Sequence, residues 1–89
     1  MAEFRILLTP EAQADILALN DSMQTRVSEK LAWIGINAQF IRHQSLKGKR
    51  WQGLYKYRVG DYRIIYEVNQ LAWEITILKV GHRRHIYKR

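Results

Sequence analysis

The sequence predicts an α+β domain of element order βααβββ, with a helical hairpin packed on a mainly antiparallel, twisted sheet. Three observations carry this. Apolar and polar residues alternate on both sides of Gly60-Asp61, as they do in a β-hairpin. Met23, Val27, Leu31 and Ile34 recur at spacings of four, four and three, which is helical periodicity. "EFRILLT" is a short apolar run that stops at Thr9-Pro10, where a strand gives way to a helix.

The elements follow in order. Thr9 caps the first helix, with Pro10 at its first position and Glu11 at its electropositive start. "PEAQADILALN" then carries Ala12, Ile16 and Leu19 along one stripe and stops at Asn20. Asp21 or Ser22 caps the second helix, whose apolar face Trp33 and Ile36 widen and whose end Gly35 and Asn37 weaken. Residues 38–52 show no period and read as a loop. "LYKYRV" and "YRIIYEV" form the hairpin. Asn69-Gln70 starts a second turn, and "AWEITILKV" is apolar on both faces, as a central strand is.

Composition narrows the function. The chain has 89 residues, 47% hydrophobic and 26% charged, which suits a single folded domain spanning 1–89. It has no cysteine, so disulfides, thiol catalysis and thiolate zinc sites are excluded. "MAEFRILLTP" is too brief an apolar run for a signal peptide, and nothing approaches a transmembrane helix. The expectation is a cytoplasmic protein with no membrane partner. Net charge is +7, unevenly placed: residues 1–44 carry −1 and residues 45–89 carry +8. A basic C-terminal half points to a polyanion, either nucleic acid or an acidic protein.

The hairpin gives that charge a geometry. With a two-residue turn at Gly60-Asp61, Arg58 faces Arg63, Tyr57 faces Ile64, Lys56 faces Ile65 and Tyr55 faces Tyr66. One face then holds Tyr55, Tyr57, Ile64, Tyr66 and Val68 and belongs under the helices. The other holds Lys56, Arg58, Arg63 and Ile65. Like charges opposite one another destabilise a sheet by up to about 1 kcal/mol per pair, partly offset here if Glu67 on that face helps. Three crowded cations therefore mark an anion-binding face, to which Arg83 of "VGHRRHIY" could return. Arginine suits phosphate because its planar fork makes paired hydrogen bonds. Tyr87 adds a phenol able to stack on a base or handle a proton. Lys47, Lys49 and Arg50 in "SLKGKRWQG" make a basic loop that could also clamp phosphate. His82 and His85 lie three apart with no third ligand and His43 is remote, so no metal and no cofactor are expected.

"LKG", "GLYKYRVGDYRIIYEV" and "ITILKVGHRRHIY" resemble the RelE branch of the RelE/ParE toxin superfamily, and the resemblance covers essentially the whole chain. It implies the toxin of a type II toxin–antitoxin system, a metal-independent endoribonuclease that cuts mRNA in the ribosomal A site. The ribose 2′-OH would attack the adjacent phosphate, leaving a 2′,3′-cyclic phosphate and a 5′-hydroxyl. The resemblance gives Lys56 a part in activating the 2′-OH or stabilising charge, and Arg58 a hold on phosphate or the leaving oxygen. It gives Arg63 the scissile phosphate, Arg83 the transition state or leaving group, and Tyr87 the role of candidate base and stacking partner. Lys47, Lys49, Arg50 and Arg84 would contact RNA or ribosome. The implied partners are a RelB-like antitoxin, the 70S ribosome with its mRNA, and promoter DNA only through the toxin–antitoxin complex. A ParE-like inhibitor of DNA gyrase and a non-catalytic RNA-binding module are the alternatives on the same fold.

Overall fold

The computed structural model describes residues 3–87; Lys88 and Arg89 of the basic tail lie outside the described residues. Strand β1 (Arg5–Leu8) leads into helices α1 (Pro10–Leu17) and α2 (Asp21–Asn37). Strands β2 (Gln44–Ser45), β3 (Tyr55–Val59), β4 (Tyr62–Asn69) and β5 (Glu74–His82) follow, with a 3₁₀ turn at Lys49–Trp51 between β2 and β3. The five strands lie in the order β1-β5-β4-β3-β2, antiparallel except for β1, which runs parallel to β5. The α+β fold agrees with the sequence. The loop expected at 38–52 does not, because it contains β2 and the 3₁₀ turn. Two residues are too few to show alternation, so β2 left no readable signal.

The helices start where side chains can cap them. Thr9 accepts the amide of Ala12 at 3.1 Å, as expected. For α2 the cap is Asn20, whose Oδ1 accepts the Met23 amide at 2.8 Å, rather than Asp21 or Ser22. Gly35 does not weaken the helix end. It lets α2 touch β1, with the Phe4 amide donating to the Gly35 carbonyl at 2.9 Å. A Cβ at Gly35 would stand 2.8 Å from the Phe4 carbonyl oxygen.

Val27, Leu31 and Ile34 of α2 meet Ile64 and Tyr66 of β4 and Ile75, Ile77 and Val80 of β5 in the core. The change in spacing from Ile77 to Val80 has a cause. Tyr66 pairs with Ile77 but Ile65 with Lys79, so Leu78 is an extra residue, a β-bulge. The bulge turns Val80 to the same side as Ile75 and Ile77, and what looks like apolar residues on both faces is one buried face with a step. Beyond Leu8 the edge of β5 is closed by side chains. The Leu78 carbonyl accepts from the Thr9 hydroxyl at 3.1 Å and the Val80 amide donates to Asp15 at 2.9 Å.

His43 ties the end of α2 to the sheet. Its Nε2 donates to the Ala38 carbonyl at 2.9 Å, which leaves Nδ1 to accept from the Tyr66 hydroxyl at 2.7 Å. Tyr66 is fully buried. Burial, reinforced by Tyr55 and Tyr57, holds its hydroxyl well above the ordinary phenol range. An unfolded chain ionises this phenol near pH 10, whereas the folded one keeps its proton. Stability from this group is therefore complete below about pH 10 and falls as pH rises further. Urea midpoints measured from pH 8 to pH 11 should fall less steeply for Tyr66→Phe than for the parent. At pH 8 the variant should be weaker by about 1 kcal/mol, because His43 loses its donor. Identical alkaline slopes would contradict this account.

Candidate active site

The hairpin has the register expected of it. Arg58 pairs with Arg63, Lys56 with Ile65, and Gly60 takes the positive φ of 59° that the turn requires. Tyr55, Tyr57, Ile64, Tyr66 and Val68 lie on the helix side, as predicted. On the other face Lys56, Arg58 and Arg63 line a cleft of about 180 Å³ together with Gln44. Gln44 belongs there because β2 pairs it with Lys56. An adjoining hollow of about 380 Å³ adds Arg42.

Arg63 is held in place from behind. Its Nη1 donates to the carbonyls of Gly60 at 3.1 Å and Tyr62 at 3.0 Å, so the turn that sets the register also fixes the guanidinium. Glu67 does not offset the charge. It lies towards the far end of β4, where it lines a separate hollow with Glu74 and Thr76. The cleft lining is thus three cations and one amide, with no carboxylate and no imidazole.

The tail does more than supply charge. Arg83 is exposed at the hairpin tip, where its amide donates to the Asp61 carbonyl at 2.7 Å and its Nε stands 3.9 Å from the Asp61 carboxylate. It does not line the cleft. Beyond it the chain turns back over the basic face of the sheet. Ile86 sits against Gly81, where a Cβ would meet its Cδ1 at 3.0 Å. Ile65 and Ile86 are both buried and both lie outside the helix-side core, so this face has a small apolar patch of its own. Tyr87 ends edge-on to Trp51, ring centroids 5.8 Å apart, and Arg50 lies over the Trp51 ring at 4.8 Å. Lys47 and Lys49 are exposed on the same loop, and Arg84 is exposed beside His82.

Three participants escaped the sequence reading. Arg42 and Gln44 alternate, but over too short a run to mark a strand. Trp51 was read only as part of a basic loop, because nothing local shows that Tyr87 will reach it. The resulting surface can grip phosphate through forked and point-charge donors. It can also offer Lys56 or the Tyr87 phenol for proton transfer. Among the described residues no group of three or more His, Asp or Glu side chains is placed to hold a metal ion. Among the described residues no helix is long and apolar enough to cross a membrane.

Fold and site together define a small α+β protein with a cleft of three cations and one amide on the face of its sheet away from the helices. The family model of the ParE toxin of type II toxin–antitoxin systems, parDE, matches residues 6–87. The chain belongs to this family and is a type II toxin of the RelE/ParE superfamily. Among solved structures it is similar to a chain of the RelBE2 toxin–antitoxin complex of Mycobacterium tuberculosis, at 23% identity and a TM-score of 0.82, covering 93% of this chain and 94% of that one. It is also similar to a chain of the archaeal RelE–RelB complex of Pyrococcus horikoshii, at 25% identity and TM-score 0.75, covering 93% and 98%. The isolated RelE toxin of E. coli matches at 20% identity and TM-score 0.72, covering 91% and 84%. A search of the curated proteins finds no match.

Proposed function

We propose that this toxin is a metal-independent endoribonuclease that cleaves mRNA in the ribosomal A site. The observation that carries the reading is the cleft itself, in which Lys56, Arg58 and Arg63 converge without an acid. A gyrase inhibitor that only binds protein has no need of a concave, wholly cationic phosphate site. In the reaction the 2′-oxygen attacks the adjacent phosphorus and its proton passes to Lys56 or Tyr87. The bond to the 5′-oxygen breaks, and that oxygen takes a proton from Arg58 or from solvent water and leaves as a 5′-hydroxyl. Charge accumulates on the phosphate oxygens at the transition state, and cations fixed beforehand stabilise that state more than the ground state. Arg63, braced on the turn carbonyls, is the best fixed of the three.

Lys47, Lys49, Arg50 and Arg84 supply outlying contacts to RNA or ribosome, and Arg83 acts from the hairpin tip. Tyr87, paired with Trp51, offers a surface for a substrate base. A cognate antitoxin neutralises the toxin in the cytoplasm, and the pair binds promoter DNA chiefly through the antitoxin. The complexes to which the fold is similar support that partnership.

The matching family model is that of ParE, which favours gyrase inhibition as the second reading. Induction in cells followed by mapping of mRNA 5′ ends separates the two. Codon-spaced cuts in the parent that vanish in Arg63→Ala support the nuclease. Growth arrest with intact mRNA and gyrase-linked DNA breaks supports the inhibitor.

A further inference from the structure

The basic cleft does not end at Arg58. It shares Gln44, Lys56 and Arg58 with the hollow that holds Arg42 and Gly60. That hollow shares Arg58 and Gly60 with a third, of about 460 Å³, lined also by Arg26, Lys30 and Trp33. The three form one groove leading from the sheet face, across β3, to the flank of α2. The route is open because β2 pairs only with Tyr55 and Lys56, and Tyr57–Val59 have no strand beside them on that side. Gly60 brings the turn to the Arg26 side chain, whose guanidinium lies 3.4 Å from the position a Cβ would take there.

The far end has an aromatic floor as well as charge. Trp33 is 39% exposed and its ring centroid lies 6.0 Å from that of Tyr57. Lys30 Nζ stands 4.5 Å from the Trp33 centroid and 5.3 Å from that of Tyr57. Glu29 is the one carboxylate lining the groove, against Arg26, Lys30, Arg42, Lys56, Arg58 and Arg63.

We propose that this groove is a track for single-stranded RNA continuing out of the cleft, with phosphates over Arg58, Arg42 and Arg26 and a base against Trp33. The inference rests on reading the cleft as an RNA site. A duplex is too stiff to turn from the sheet face over a strand edge, whereas a single strand follows it. Cations spaced along a path with an exposed aromatic ring are what a sequence-tolerant strand needs, because every base has a π-face.

The test uses 2′-O-methyl oligouridylates, which bind but cannot be cut, so it does not depend on nuclease activity. A trinucleotide and a strand of about ten nucleotides are titrated against the parent, Trp33→Ala, Arg26→Gln/Lys30→Gln, and Arg5→Gln/Lys79→Gln as a charge-matched control. Trp33→Ala should weaken the longer strand about tenfold and leave the trinucleotide unchanged. Arg26→Gln/Lys30→Gln should lower the slope of log affinity against log salt by about 0.7 for the longer strand, the loss of the one phosphate contact at Arg26. The control should keep the parent's preference for length. The proposal is overturned if neither variant affects the longer strand, or if the control weakens it equally. It is also overturned if oligoglutamate binding, and not RNA binding, depends on Trp33, which would assign the groove to an acidic protein segment. If mRNA is not cleaved in cells but length dependence is seen, the groove stands and the nuclease reading falls.

Discussion

Arg63→Ala should slow mRNA cleavage on programmed ribosomes by about 10²–10³ while the chain stays folded. The size follows from removing one fixed donor from a developing anion, about 2.7–4 kcal/mol by comparison with oxyanion-hole donors. The same guanidinium also bonds the Gly60 and Tyr62 carbonyls, so some stability will be lost. Those bonds lie at a partly exposed turn and should contribute about 1 kcal/mol. The melting midpoint should therefore fall by roughly 4–8 °C, well short of unfolding the chain at working temperature. Arg63→Lys separates charge from geometry. It keeps the cation but loses the planar fork and the double brace, so it should recover only a minor part of the rate. Full activity in Arg63→Ala with cuts still present would remove the cleft from the mechanism.

Gly35→Val should be among the most damaging single changes in the fold. Propensity alone says the opposite, since glycine inside a helix costs about 1 kcal/mol relative to alanine. The contact decides. The added Cβ would sit 2.8 Å from the carbonyl oxygen of Phe4, just before β1, and 3.3 Å from two carbons of Ile6, and backbone has nowhere to go. Overpacking of this kind costs about 1–3 kcal/mol, and the branched valine adds two more methyl positions to place. Gly35→Ala should be mildly destabilising, the clash outweighing the helix gain. Gly35→Val should lose enough to shift the urea midpoint substantially. A stabilised Gly35→Ala would show that β1 can slide away from α2.

These residues show what was legible in the sequence. The hairpin register was fully readable, because period-two alternation and a two-residue turn are local facts, and with it came Lys56, Arg58 and Arg63 as neighbours. The Thr9-Pro10 helix start was readable for the same reason. The apolar step at Leu78 was not, because a bulge is defined by what the neighbouring strand does. The role of Gly35 was not readable, because helix propensity is visible in a sequence and the close approach of a helix to a strand is not. Arg42, Gln44 and Trp51 came to the site through β2 and the returning tail, contacts between segments far apart in the chain. Arg83 was expected in the cleft with the other cations, but it lies outside it at the hairpin tip, where Asp61 stands 3.9 Å from its Nε.

One feature of the sheet bears on how the protein is made. Among the described residues β1 pairs with β5 alone, and Arg5 reaches Glu74 across 69 residues of sequence. During synthesis β1 must wait for β5. Helices and the β3–β4 hairpin form from local contacts, whereas the β1–β5 pairing joins segments about 70 residues apart. Pairing of β1 with β5 is thus the least local step in assembling the sheet, and the one on which the basic face waits for its final support.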